Sequence, residues 1–208
     1  GRFFTLRIHH SFLKAPEGYT PRVADPRIGV STITFRDFTR PFDQDTEVQW
    51  ITRWRLEKKD PAAAMSEPKT PIVFYLDPGI PEPTRTAMRN GALWWNKAFA
   101  KVGLIDAIEV HYQDKATGAH MDKDPEDARY NFIRWLNNDV STAIGPHRAN
   151  PLTGQILDAD VVLTDGWIRH FWSQTNEIIP DIAMRSIPDE ALGWLEQQDR
   201  TYKITQRD

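Results

Sequence analysis

The sequence predicts a mixed α/β fold, an antiparallel β region followed by a strand–helix–strand layer, and three observations predict it. Apolar residues alternate with period two between Phe3 and Glu57, and a stripe at helical spacing runs from Met88 to Val102. That stripe is bracketed by two short runs rich in β-branched and aromatic residues, at Pro71–Leu76 and Asp106–Tyr112. With 208 residues, 40% of them apolar, the chain can bury a core of one domain or two small ones.

In the first part, Phe4, Leu6 and Ile8 alternate with Thr5, Arg7 and His9, so the chain is expected to begin inside a strand rather than with a leader. Val30–Phe35 and Val48–Leu56 are the next strands, separated by turn-forming pieces such as Ala15-Pro16-Glu17-Gly18 and Asp25-Pro26-Arg27. A break is expected at Lys58–Thr70, where charge, three alanines and two prolines mark a linker. The division that follows is 1–65 for the β region with its linker and 66–208 for the rest.

In the second part, Pro71–Leu76 is a short apolar run closed by Asp77-Pro78-Gly79, the pattern of a strand buried on both faces. A helix is expected from about Pro83 to Val102, with Met88, Ala92, Trp95, Phe99 and Val102 on one apolar stripe and Gly103 as its left-handed stop. Asp106–Tyr112 then completes a right-handed βαβ unit. Tyr130–Leu136 and Gln155–Leu163 are further strands, the latter after the turn Asn150–Gly154, which makes the sheet mixed. Helices are expected from Gly166, broken before Pro180, and over Asp189–Gln198, capped by Asp189.

Composition narrows the chemistry. Net charge is −3 and no basic run forms a phosphate-binding stripe, so a nucleic-acid partner is not expected. No stretch approaches the length of a membrane-spanning segment. The absence of cysteine removes disulfides, thiolate catalysis and Cys-ligated zinc. Zinc hydrolases of the helical type need two His one turn apart plus a Glu to activate water, and His9, His10, His111, His120, His147 and His170 include no such pair. The residues therefore offer no catalytic and no metal position. Asp122, Asp124, Glu126 and Asp127 could ligate calcium, but they lack the order of a calcium loop and a solvated turn is preferred. Asp158 and Asp160 share a strand face without the separation that an acid pair flanking a glycosidic bond requires. The aromatic helix face of Trp94, Trp95 and Phe99 reads as core before sugar platform.

Three stretches read together carry a resemblance: Arg53-Trp54-Arg55-Leu56-Glu57-Lys58-Lys59-Asp60-Pro61 with Ser66-Glu67-Pro68; Pro71-Ile72-Val73-Phe74-Tyr75-Leu76-Asp77; and Asp124-Pro125-Glu126-Asp127-Ala128-Arg129-Tyr130-Asn131-Phe132-Ile133-Arg134-Trp135. They resemble large bacterial zinc-dependent metallopeptidases with a metzincin-type, EcxA-like catalytic domain. The resemblance extends over most of residues 19–172. It implies that residues 66–208 form the upper subdomain of such a domain, a twisted mixed sheet with a long backing helix, ahead of the His-Glu-x-x-His-x-x-Gly-x-x-His helix, which has no counterpart here. It implies zinc held by residues outside this chain, a peptide or protein substrate, the remainder of the peptidase domain as partner, and a secreted or periplasmic setting. It also implies a substrate-framing edge strand in the stretch Ser141–His147, where Ala143, Ile144 and Gly145 would offer main-chain groups to an extended peptide. A non-enzymatic module that captures a peptide or partner stays open beside it, and a carbohydrate-binding unit is a weaker third reading.

Overall fold

A computed structural model of the protein describes residues 4–42, 45–82 and 84–174. The helix expected at Asp189–Gln198 and the break before Pro180 lie outside the described residues. The architecture is mixed α/β. The described residues up to Leu136, together with Ala143–Leu163, form one compact unit.

This unit opens with a hairpin of β1 (Thr32–Arg36) and β2 (Glu47–Ile51), paired antiparallel from Thr32↔Ile51 to Arg36↔Glu47. Its period-two pattern is real but only one position is well buried, Val48 at 4% exposure. The strand expected at Phe4, Leu6 and Ile8 is absent, and these side chains are 80%, 70% and 71% exposed. Alternation describes which face a strand would bury, and here no neighbouring strand supplies the ladder. Residues 58–70, read from charge and proline as a break, are held by main-chain bonds: Lys59 N–H to Glu67 O (2.8 Å), Ser66 N–H to Gly103 O (3.1 Å) and Ile105 N–H to Ser66 O (3.1 Å).

The βαβ unit is present. β3 (Ile72–Leu76) runs parallel to β4 (Ile108–Tyr112), with α1 (Thr84–Trp94) and α2 (Asn96–Ala100) between them. The expected single helix is thus interrupted at Trp95, whose N–H reaches only Ala92 O at 3.4 Å. The apolar stripe is partly buried at Met88, Ala92 and Phe99 and fully buried nowhere. Met88 and Ala92 pack on the core of Leu76, Ile80 and Ile133, whereas Trp95 and Val102 are exposed. Trp94 is 67% exposed as well, so these two tryptophans are not core. Gly103 stops the helix as expected, at φ +84°, and a Cβ there would lie 2.6 Å from Ala64 O.

β5 (Asn131–Leu136) pairs parallel with the other side of β3, and β8 (Val161–Thr164) lies beyond it, giving the order β4-β3-β5-β8. The single strand expected over Gln155–Leu163 is two, β7 (Ile156–Ala159) and β8, divided at Asp160. β6 (His147–Ala149) pairs antiparallel with β7.

The second compact unit contains Asn137–Thr142 and the described residues from Thr164. Its helix α3 (Asp165–Ser173) is capped by Thr164, whose Oγ1 accepts the Trp167 N–H at 3.0 Å and donates to Val140 O at 2.6 Å. Arg169 ties Asp165 (2.6 Å) to Asp139 (3.0 Å). No helix among the described residues is long and apolar enough to cross a membrane.

Candidate functional site

The stretch with the clearest recognition geometry is the return of chain from Ala143 to Val162. Ile144 and Val162 exchange both main-chain bonds as an antiparallel pair, at 3.0 and 2.7 Å, and Asp160 N–H donates to Pro146 O at 3.0 Å. The segment then continues into β6, turns at Asn150–Gly154 and comes back through β7 and β8. The turn forms where the sequence placed it. Asn150 Oδ1 accepts the Leu152 N–H at 2.9 Å, Asn150 O accepts the Gly154 N–H at 2.8 Å, and Gly154 takes φ +73°.

Two polar side chains fix this return on the sheet. Asn131 accepts the Ala159 N–H (2.9 Å) and donates to Val73 O (2.8 Å), bridging three strands. Asp160 accepts the Phe132 N–H at 2.9 Å. Burial raises the Asp160 carboxyl above its ordinary value, and the Phe132 N–H works against that rise. Asp158 is buried at 2% exposure and paired with Arg148, while its Oδ1 meets no partner among the described residues. Both carboxylates of the sequence-level acid pair are thus engaged in holding strands. The hairpin is also docked on β2's continuation, through Arg53 N–H to Gly154 O (3.0 Å) and Ile156 N–H to Arg53 O (2.9 Å).

The three expected contact residues are not equivalent. Ile144 turns both main-chain groups inward to Val162, so its edge contribution is its half-exposed side chain. In an antiparallel pair the flanking residues point the other way, which leaves Gly145 as the exposed outward position next to Pro146. Periodicity could not have distinguished these, because which residue faces the partner depends on register. Asn131 and Asp160 were missed as positioning residues. The only signal available was polar residues at the boundaries of apolar runs.

Among the described residues no group of three or more His, Cys, Asp or Glu is arranged to hold an ion. The nearest approach is His111 against His120, ring centroids 5.0 Å apart, beside Tyr75, with His111 Nε2 3.2 Å from Glu109 Oε2. In the acidic cluster, Asp122 pairs with Lys123, Asp127 with Arg129 and Glu126 with Arg134 (3.0 Å), while Asp124 Oδ1 accepts the Glu126 N–H (2.8 Å). These are the contacts of a charge-compensated turn. Trp95 and Phe99 line a hollow of about 260 Å³ with Trp54, Ile72, Phe74 and Ile108, all apolar or aromatic walls without convergent polar groups for a sugar.

Residues 1–59 match a family described as a domain of unknown function (DUF5117). No curated protein and no solved structure matches the chain.

Proposed function

We propose that the chain forms the substrate-facing half of a zinc-dependent endopeptidase domain of metzincin type, whose edge at Ala143–Gly145 receives an extended peptide as an added strand. The observation that carries this reading is the antiparallel pairing of Ile144 with Val162 outside β8, on a sheet in which β3 runs parallel to both β4 and β5. A peptide added there would bond to outward main-chain groups, with Gly145 contributing an N–H and a C=O free of any side chain of its own. The reaction is hydrolysis of a peptide bond in a longer protein, with zinc supplied by residues outside these 208. The metzincin-like arrangement and a secreted or periplasmic location belong to the same proposal.

The test is a protein extended through the encoded sequence that follows Asp208. Stoichiometric zinc and endopeptidase activity are the expected results, and a protein that holds no zinc and cleaves no peptide would sink the reading. Gly145→Pro in that protein removes one donor and is expected to raise KM roughly 2–10-fold, the worth of one hydrogen bond, with zinc content unchanged. Metal-independent peptide capture without cleavage would instead identify a binding module.

A further inference from the structure

At the opposite end of the sheet, β4 presents an edge of its own. Ile72 N–H donates to Ala107 O (2.8 Å) and Gln113 N–H to Leu76 O (3.0 Å), which fixes the alternation along the strand. Glu109 and His111 turn their main-chain groups towards β3, and Ile108, Val110 and Tyr112 turn theirs outward. Ile108 is already satisfied. Asn96 accepts its N–H at 2.8 Å and donates to its C=O at 2.9 Å, as a neighbouring strand would. Val110 and Tyr112 make no outward main-chain bond among the described residues. Val110 borders a depression of about 840 Å³ with Lys69, Arg89, Leu93 and Asp106 around it.

The molecule also carries a strand pattern that forms no strand in the single chain. Residues 4–8 have the alternation of a half-buried strand, yet Phe4, Leu6 and Ile8 stand in solvent. In its own molecule this segment is held at Ser11, whose Oγ accepts the Ala128 N–H at 3.1 Å, and among the described residues 4–8 make no main-chain bond to β4, so the edge stands open to a second copy.

We propose that residues 4–8 of one molecule add as an antiparallel strand to the β4 edge of a second copy, Leu6 pairing with Val110 and Phe4 with Tyr112. The register uses the two open positions of the edge and leaves Ile108 with Asn96. It sets Arg7 opposite Glu109, an opposite-charge cross-strand pair, and Thr5 opposite His111. Phe4 and Leu6 fall on the face of Val110 and Tyr112, which pack against the core beneath α1. Exchange in both directions closes a two-fold dimer.

The chain has no cysteine, so cross-linking is clean. Chains carrying Arg7→Cys are mixed with chains carrying Glu109→Cys under mild oxidation, and a disulfide-linked pair is expected, because directly opposed residues in a non-hydrogen-bonded pair sit close enough to bridge. Arg7→Cys mixed with His111→Cys is expected to give at least roughly tenfold less product, since the diagonal separation exceeds bridging distance. In sedimentation, Leu6→Pro removes the donating N–H at an exposed position and is expected to convert the dimer to the 24.0 kDa monomer with the fold intact by circular dichroism. A native chain that stays monomeric through about a hundredfold concentration series overturns the proposal. So does a dimer unaffected by Leu6→Pro, or equal cross-linking at the two positions.

Discussion

Gly154 and Gly118 share a left-handed backbone, φ +73° and +74°, but their surroundings separate strain from crowding. At Gly118 no atom lies within 4 Å of an added Cβ, so Gly118→Ala carries the conformational cost alone, about 1 kcal/mol. At Gly154 the same Cβ would stand 2.3 Å from Ile51 O, and that carbonyl belongs to the hairpin on which the turn is docked. Gly154→Ala is therefore expected to cost at least about 2–3 kcal/mol in urea unfolding, and equal costs at the two sites would show that contact adds nothing. Two carboxylates predict opposite pH dependence. Arg129 donates to Asp127 through Nε at 2.9 Å and holds its carboxyl down at about 2 against an ordinary 3.8. A depressed folded value contributes stability that is complete above 3.8 and lost as pH falls towards 2, so Asp127→Asn is expected to flatten that limb of the urea midpoint. Asp160 is raised, so the folded state holds its proton more tightly, and stability falls as pH climbs from 3.8 through the folded value. Asp160→Asn keeps an oxygen for the Phe132 N–H and is expected to match or exceed the native stability at pH 7, the difference vanishing below 3.8.

At the scale of elements, Asn96 shows why the helix breaks where it does. Trp95 interrupts the helical ladder, and the next residue spends its side chain on both main-chain groups of Ile108. Asn96→Ala leaves a buried N–H and C=O without partners and is expected to cost about 1–3 kcal/mol, with faster amide exchange at Ile108 than at Glu109, which bonds to β3. Unchanged exchange at Ile108 would mean that water replaces the amide without loss. None of this could be read from the stripe Met88–Val102, because helical spacing reports which residues share a face and not how much of that face is covered. The βαβ order was legible since Pro71–Leu76 and Asp106–Tyr112 each carry enough apolar character to specify a buried strand locally. The Asn150–Gly154 turn was legible for the same reason, through side chains that bond their own backbone. Phe4, Leu6 and Ile8 carry an equally clear pattern and form no strand, since a ladder needs a partner that sequence spacing cannot locate. The stretch Ala143–Gly145 was singled out by resemblance alone, and the inward turn of Ile144 onto Val162 emerged only from register.

For the larger compact unit as a whole, the decisive joint is the short parallel bridge of Arg53 with Gln155. Arg53 N–H donates to Gly154 O and Ile156 N–H to Arg53 O, so the chain after the N-terminal hairpin shares main-chain bonds, across about a hundred residues of sequence, with the β6–β7 hairpin that Asn131 and Asp160 fix on the α/β sheet. Arg53 is fixed further by its Nη2 donating to Thr20 O at 2.8 Å and by stacking 4.4 Å over the Tyr19 ring, whose hydroxyl donates to Arg53 O at 3.2 Å. Contacts of such high sequence separation carry closure entropy that is recovered only when both ends are folded. The hairpin alone buries little, and two strands without a covering layer are marginal in water. The two parts are therefore expected to unfold together. Amide exchange of Val48 in β2 and Phe132 in β5 under rising urea should converge on one opening free energy, and Gly154→Ala should lower both by the same amount. An early release of Val48 with Phe132 still protected would show instead that the hairpin is an independent unit, and the Arg53 bridge a contact made after each side has formed.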